Sequence, residues 1–464
     1  MTIGADASQV GSARRLILDG GYIATVDALG TEHRSGHVVV EDGRIAAVAA
    51  GPAPAGLREG AEVVDASGCL ITPGLINTHH HLYQWLTRGY AQDAILFDWL
   101  TALYPLWSQI DARLTGIGAA GGMAVLARSG CTTVGDHHYI FPQGSGDIVG
   151  AIVEASRRIG VRLHATRGSM DLGASQGGLP PDFAVETTDA ALRASAEAVE
   201  HHHDPSFDSL VRVAIAPCSP FSVTTDLLRE SAVLARSLDV RLHTHASETV
   251  EEDAYCLERF GMTPTQYLES VGWLGGDVWM AHCVHLDGTA IERYAATGTG
   301  VAHCPSSNAR LASGIAPVRD MLRAGVPVGL GVDGAASNES GQLGIEIREA
   351  VLMNRLRTGA DSFSVRQGLS IATIGGARVL GRQDEIGSLE TGKLADIAVW
   401  RVDGVEHAGI LDPVAALGLG AMPPLARLYV GGRAIVEESQ LVTAEEPILA
   451  EEVAAASREL AGRL

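Results

Sequence analysis

Between Ile71 and Gly381 short apolar runs of strand character alternate with helix-length segments, and this alternation limits the fold more than any other feature of the chain. The runs are LITPGLINTH, CTTVGDHH, VRLHATRG, VRVAIAP, VRLHTHA, VWMAHC, GVAHCP and PVGLGVD. Strands joined through helices pair in parallel. Eight such units predict a closed (β/α)8 TIM barrel, an α/β fold whose functional side chains stand at the carboxyl ends of the strands. The alternative is an open doubly wound sheet, but no G-x-G-x-x-G follows the first strand. Between the strands, DARLTGIGAAGGMAVLARSG and DIVGAIVEASRRIG begin at Asp and close on Gly, and TDLLRESAVLARSLD begins at Thr, all residue types that cap helices.

The flanks have a different texture. RLILDG, YIATVD, HVVVEDGRIAAVAA and AEVVDA near the start, and LADIAVWRVDG and ARLYVGGRAIVEE near the end, read as antiparallel strands, with an Asp-Gly hairpin at 42 and 43. Both sets predict one small β-sandwich domain built from the two termini. The expected organisation is residues 1–70 as the first part of the sandwich after a tail of about a dozen residues, 71–384 as the barrel, 385–440 as the second sandwich part and 441–464 as a C-terminal helix.

With 34 Lys and Arg against 55 Asp and Glu, the net charge of −21 opposes binding to nucleic-acid phosphates or anionic lipid, which recruit clustered basic residues. Small neutral molecules remain as partners. The cysteines at 69, 131, 218, 256, 283 and 304 never form a C-x-x-C pair, which excludes zinc-ribbon and thioredoxin motifs and fits reduced thiols in a soluble cytoplasmic protein. The segment MTIGADASQVGSARR has no signal-peptide pattern, and the run Gly116 to Ala127 is too short to span a bilayer.

Ionisable residues gather at the predicted strand ends. The first barrel strand runs into His79-His80-His81, the fifth into His243-Thr-His245 followed by Glu248, the sixth into His282 and the eighth into Asp333. Side chains on an extended segment alternate, so His79 and His81 share a side while His80 faces the other. With a third imidazole from the fifth strand and Asp333, they make an N3O set suited to Zn²⁺ and also to Fe²⁺, with a position left for water. His80, His137, His138, His164 and His243 read as structural groups or as partners that orient a ligand. His201 to His203 read as solvated at a helix end. Cys283 and Cys304 read as core fillers.

Taken together, PGLINTHHHLYQ, the H-x-x-E of His245 to Glu248, AHCVHLD, HCPSSN, GVDGAASN and the closing GSLETGKLADIAVW resemble the amidohydrolase superfamily, in its purine and pyrimidine deaminase branch. That resemblance implies a (β/α)8 barrel, one divalent metal per subunit, hydrolytic removal of ammonia from a heterocycle and a homo-oligomer. Binuclear relatives carry a bridging ligand at the end of the fourth strand, where this chain reads VAIAPCSP with Cys218 and no Lys. A single ion is therefore expected, on His79, His81, His245 and Asp333. Asp333 is also the expected base toward the attacking water and Glu248 the proton shuttle; the resemblance implies that His282 steadies the tetrahedral intermediate. The other zinc deaminase signature, H-x-E with P-C-x-x-C, is absent.

Aromatic residues make up only 5% of the chain, yet Tyr83, Trp85, Tyr90, Phe97, Trp99, Tyr104 and Trp107 crowd the segment leaving the first strand. Phe97, Trp99 and Trp107 read as the buried face of a helix, and Tyr83, Trp85 and Tyr104 as walls for a flat ring. Gln84 stands where guanine deaminases place a Gln that reads the base edge, whereas Cys218 replaces the Arg that commonly holds the purine carbonyl there. With the loop TRGSMDLGASQGGLPPD, in which Arg167 is a further substrate-binding candidate, the sequence is most similar to 8-oxoguanine deaminases, which also accept isocytosine-like rings. It is similar too to s-triazine hydrolases acting on hydroxyatrazine-like rings. Those carry Gln at the position of His80 and can lack the eighth-strand Asp; the presence of Asp333 favours the purine-type reading.

Overall fold

In the computed structural model, which describes residues 15–463, the chain opens with the antiparallel strands β1 (Arg15–Ala24), β2 (Glu32–Glu41) and β3 (Arg44–Ala50). Asp42 and Gly43 both take left-handed backbone angles, φ 47° and 76°, as a tight Asp-Gly hairpin requires. Next come β4 (Glu62–Asp65) and β5 (Cys69–Pro73), both parallel to β1. The tail and the start of MTIGADASQVGSARR lie outside the described residues.

Eight parallel strands follow: β6 (Leu75–Asn77), β7 (Cys131–Gly135), β8 (Arg162–Ser169), β9 (Val211–Pro217), β10 (Leu242–Ala246), β11 (Val278–His282), β12 (Gly300–His303) and β13 (Val328–Leu330). They close into a barrel where Leu330 of β13 pairs with Asn77 of β6. Seven of the eight strand runs read from the sequence contain one of these strands, and the eighth, VRLHATRG, falls one residue short of the end of β8 at Ser169. Asp111 and Asp147 cap the helices Ala112–Arg128 and Ile148–Ile159 as expected, while the cap of Thr225–Ser237 is Thr224.

The C-terminal segment returns to the first sheet as β14 (Ile397–Arg401), β15 (Leu425–Val430), β16 (Arg433–Glu437) and β17 (Gln440–Leu441). The resulting nine-stranded sheet runs β17-β16-β15-β14-β5-β1-β2-β3, with β4 beside β1. It curls so that Leu18, Val38, Ile71, Ile397 and Tyr429, drawn from both ends of the chain, share one apolar core. This is the expected sandwich. The run LITPGLINTH is two strands rather than one: residue 71 lies inside β5, and the chain passes from sandwich to barrel at Gly74. A Cβ on Gly74 would lie 2.3 Å from the Thr132 side chain, so only glycine fits at the junction. The two units are clamped by a buried ion pair, Arg162 at the start of β8 to Asp396 before β14, with contacts of 2.8 and 3.0 Å.

Helix Glu446–Ala461 packs on Ala112–Arg128, with Arg128–Glu446 at 3.1 Å tying their ends. All six cysteines are buried and unpaired. Among the described residues no helix is long and apolar enough to cross a membrane.

Candidate functional site

The barrel ends on backbone that most residues avoid. Ser247, His282, Cys283 and Asp333, at the carboxyl ends of the fifth, sixth and eighth barrel strands, have φ of 51°, 70°, 51° and 64°. Each such non-glycine conformation costs about 1–3 kcal/mol and persists only where surrounding contacts enforce it. Here the contacts are hydrogen bonds aimed at the same mouth.

His79, His81, His245, His282, Glu248 and Asp333 converge there, all buried. Burial keeps the imidazoles of His79 and His243 well below their ordinary pKa and that of His245 at about 3, so these rings are neutral. Their tautomers follow from their partners, since a carbonyl only accepts. His81 Nδ1–H donates to the His137 carbonyl at 2.5 Å, and His245 Nδ1–H to the Cys218 carbonyl at 2.7 Å. His243 Nδ1–H donates to the Trp279 carbonyl at 2.9 Å, which leaves its Nε2 to accept from His79 Nδ1–H at 2.8 Å.

With Nδ1 as the donor, His79, His81 and His245 each turn Nε2 toward the mouth, and in the neutral rings of His79 and His245 that atom carries a lone pair. Two of them face Asp333 Oδ1, at 3.2 Å from His79 and 3.3 Å from His81, and His81 Nε2 lies 3.2 Å from His245 Nε2. Lone pairs and a carboxylate at such range repel unless a cation lies among them. The edge of a tetrahedron around zinc, with bonds of roughly 2.0–2.2 Å, is about 3.3–3.6 Å. The donor set thus fits one divalent ion. His137 joins this group: its Nε2–H donates to the Ala216 carbonyl at 3.0 Å, its Nδ1 has no hydrogen-bond partner among the described residues, and its donor atom lies within 4.8 Å of those of His79, His81 and His245. The sequence reading left it among the structural histidines.

Beside the donors, Asp333 Oδ2 accepts from Ser307 at 2.5 Å and Ser337 at 3.2 Å. His282 Nδ1–H donates to Asn308 Oδ1 at 2.9 Å, so its Nε2 faces the mouth, 3.7 Å from Glu248 and 3.8 Å from Asp333. Burial, reinforced by the charge of Asp333, pushes the Glu248 carboxyl well above the usual range, so it holds a proton. Three buried acids support the loops from behind: Asp136 accepts from Leu82 N, Glu252 from Ser247 N and Glu248 N, and Glu346 from Ser306 N. Burial raises all three carboxyls to about 7.

A narrow cavity of about 30 Å³ sits over His81, His245, His282, Glu248 and Asp333. Its apolar walls are Leu96, Trp99, Leu100, Tyr139, Phe221 and Leu311, and Cys218 and Ser219 border it. The expected aromatic walls Tyr83, Trp85 and Tyr104 all lie outside this lining, Tyr83 packing edge-on against Trp107 with ring centroids 5.4 Å apart. Trp85 stacks under the Arg88 guanidinium at 3.9 Å, and Tyr104 is buried in the helix Leu96–Trp107, its hydroxyl unpartnered among the described residues. Trp99, read as core, lines the cavity instead, its Nε1–H donating to the Ala336 carbonyl at 3.2 Å.

Cys218 is a cavity residue, and burial pushes its thiol up to about 12, so it is neutral rather than a thiolate ligand. Gln84 is fully buried beside the metal set: a Cβ on Gly334 would lie 1.8 Å from its Oε1, and that oxygen has no hydrogen-bond partner among the described residues. Arg167 is turned away. Glu186 holds it with two contacts of 2.8 and 2.9 Å, its guanidinium lies 3.5 Å over Phe141, and it lines a separate cavity of about 510 Å³. A partly buried carboxylate already satisfies this cation, which is the physical reason it does not reach the metal set.

Tyr139 and Phe221 carry no motif in the sequence, although each lies in the loop after a barrel strand, four residues past the ends of β7 and β9, where the fold collects functional side chains. Glu252 carries no such signal, because it sits in the acidic run VEED, which reads as a solvated helix start.

Comparison with known proteins agrees with this geometry. The model of the amidohydrolase family matches residues 70–420. The chain is 45% identical over 401 residues to an 8-oxoguanine deaminase of Pseudomonas aeruginosa, covering 86% of this chain and 89% of that protein. It is 39% identical to an isoxanthopterin deaminase from an unknown prokaryote, covering 82% and 83%. Among solved structures, the zinc complex of atrazine chlorohydrolase from Arthrobacter aurescens superposes with a TM-score of 0.89 at 31% identity, covering 95% of this chain and all of that one (100%).

Proposed function

Because the chain belongs to the amidohydrolase family, we propose that it is a zinc-dependent aminohydrolase that removes ammonia from an amino-substituted oxo-heterocycle, with 8-oxoguanine as the substrate. The observation that carries this reading is the pairing of a buried, proton-bearing Glu248 with Asp333 across His282, beside the converging Nε2 atoms of three imidazoles. Such a site has both a proton donor and a proton acceptor within reach of one atom.

His79, His81, His245 and Asp333 would hold the ion. When bound, the ion supplies a water activated for attack near neutral pH. Asp333, steadied by Ser307 and Ser337, takes the proton that this water gives up. Glu248 donates its proton to the ring nitrogen next to the carbon under attack. His282 Nε2 stands between both carboxylates and hydrogen-bonds the group that forms at that carbon. Asp333 then passes its proton to the departing amine while Glu248 takes the proton of the new hydroxyl, so that C–NH2 and water become C=O and ammonia and both carboxyls return to their starting states. Trp99, Tyr139 and Phe221 offer flat walls to the ring, and Gln84 offers an amide to its edge.

The purine reading draws on the 45% identity to the 8-oxoguanine deaminase, against 35% to a hydroxydechloroatrazine ethylaminohydrolase of a Pseudomonas strain. The s-triazine reading is favoured by one observation: Cys218, not a basic residue, borders the cavity where a purine carbonyl would be held. Ammonia release from 8-oxoguanine, guanine, isocytosine, cytosine and hydroxylated triazines separates the two. Turnover confined to triazines, with release of alkylamine, would overturn the purine reading. Buried, unpaired cysteines fit the reducing cytosol, and the family resemblance supports a homo-oligomer.

A further inference from the structure

We propose that His243, which takes no part in the chemistry above, is a positioning residue that sets the tautomer of His79 and thereby keeps its Nε2 open to the ion. The proposal rests on the reading of His79 as a metal ligand.

Three hydrogen bonds form a closed circuit behind His79. The Trp279 indole Nε1–H donates to the Thr78 carbonyl at 3.1 Å, the His243 Nδ1–H donates to the Trp279 carbonyl at 2.9 Å, and the His79 Nδ1–H donates to His243 Nε2 at 2.8 Å. Thr78 precedes His79, so the circuit joins the end of the first barrel strand to the first halves of the fifth and sixth and returns to its start. The indole of Trp279 stacks on the His243 ring, centroids 4.3 Å apart and planes 13° from parallel, which fixes the ring in place.

The direction of the circuit is forced. The Trp279 carbonyl can only accept, so His243 must carry its proton on Nδ1 and present a lone pair at Nε2. That lone pair requires the proton of His79 to sit on Nδ1. In the opposite tautomer of His243 the Trp279 carbonyl would lose its donor, and His79 would have to carry its proton on Nε2, where the ion must bind. Both rings are buried, so no solvent would compensate the mismatch.

Of the three imidazoles proposed as ligands, His79 alone depends on a side chain in this way. His81 and His245 donate their Nδ1–H to the main-chain carbonyls of His137 and Cys218, acceptors that have no tautomer and that mutation does not remove. Histidine ligands commonly need such an outer partner, and losing it weakens metal binding by roughly 10–100-fold.

The test uses the two halves of the imidazole separately. In His243→Gln the amide oxygen reaches the position of Nε2 and can accept from His79, but the donor to Trp279 is lost. In His243→Asn the amide N–H reaches the position of Nδ1 and can serve Trp279, but nothing accepts from His79. Zinc affinity is measured on the full-length protein by competition with a chromophoric chelator, after thermal melts of the metal-free forms are compared. We expect His243→Asn to bind zinc about 10–100-fold more weakly than the wild type and His243→Gln to stay within about threefold. Equal losses in the two variants, the reverse order, or no loss in either would overturn the proposal, because a purely packing role does not distinguish an acceptor at Nε2 from a donor at Nδ1. His79→Asn is measured alongside: if it too binds zinc like the wild type, the ligand assignment itself has failed, whereas a weakened His79→Asn with a normal His243→Asn rejects the positioning role alone.

Discussion

Glu252 should matter to catalysis although it lies outside the cavity. Its two carboxylate oxygens accept from Ser247 N and Glu248 N, each at 2.9 Å, from the first turn of the helix Val250–Phe260. They hold the strained Ser247, with φ of 51°, and the start of the residue assigned as proton shuttle. Glu252→Gln keeps the volume and one acceptor, but turns an amide NH2 toward the other N–H. Losing one charge-assisted hydrogen bond costs about 1.5–3 kcal/mol. If that is expressed as misplacement of Glu248, kcat should fall by roughly 10- to 100-fold, at about 1.4 kcal/mol per decade, with KM changed little. Steady-state ammonia release measures it, in the wild-type and Glu248→Gln backgrounds. Because Glu252 acts through Glu248, its substitution should add almost nothing once Glu248 is already Gln. Activity of Glu252→Gln within twofold of the wild type, or the same fold loss in both backgrounds, would refute the reasoning. A pH signature accompanies it. Burial raises the Glu252 carboxyl to about 7 against the pull of its two donors. Wild-type kcat should therefore decline as pH falls through about 7, where the carboxyl gains a proton, and the Gln variant, which copies the protonated state, should lack that limb.

Other consequences are direct. Asp333→Asn and Glu248→Gln should each lose several orders of magnitude in kcat, and only the first should also weaken zinc binding in a chelator competition. Asp396→Ala strips the partner from a guanidinium that is 2% exposed and should destabilise the fold by about 3–5 kcal/mol, read as a lowered urea midpoint. Glu346, raised from 4.5 to about 7, holds extra protons in the folded state, so its contribution to stability is full below pH 4.5 and is lost as pH rises through 7, a change of about 3 kcal/mol. Glu346→Gln should flatten that dependence in urea titrations between pH 5 and 8. Finally, a cavity of about 30 Å³ is too small for a bicyclic base, so its walls must move on binding; because Trp99 is one of them, substrate should change tryptophan fluorescence in the wild type and much less in Trp99→Phe.

The barrel strands were readable because each is a short apolar run ended by a polar or turn residue, and parallel strands buried on both faces need nothing more. The switch at Gly74 was not. In LITPGLINTH both β5 and β6 are fully buried, so hydrophobicity is continuous across a change of sheet, and only the close approach of Thr132 to Gly74 marks it. The convergence of His79, His81, His245 and Asp333 was legible for a geometric reason: a closed parallel barrel brings strand ends together whatever their distance in sequence, and the alternation of side chains picks 79 and 81 over 80. The aromatic walls were misassigned because Leu96, Trp99 and Leu100 form a stripe at helical spacing, and such a stripe looks the same whether it faces a core or a cavity. Arg167 was misjudged because its partner Glu186 is 19 residues away, on a loop whose return no local pattern predicts.

What the motifs could not reveal is how the site is kept in shape, and this follows from where the strain lies. The left-handed residues Ser247, His282 and Asp333 are each next to, or are themselves, a group held by a buried side chain outside the chemistry: Glu252 on the 247–248 turn, Asn308 on His282, Ser307 and Ser337 on Asp333. A local cost of about 1–3 kcal/mol at each position is of the same size as the hydrogen bonds that oppose it. Removing one of these supports therefore releases the backbone toward an ordinary conformation and carries the functional side chain with it. Substitutions at Glu252 and Asn308 should accordingly lower kcat far more than they lower the unfolding midpoint, the reverse of what is expected at Asp396, where the ion pair joins two sheets and touches no strained residue.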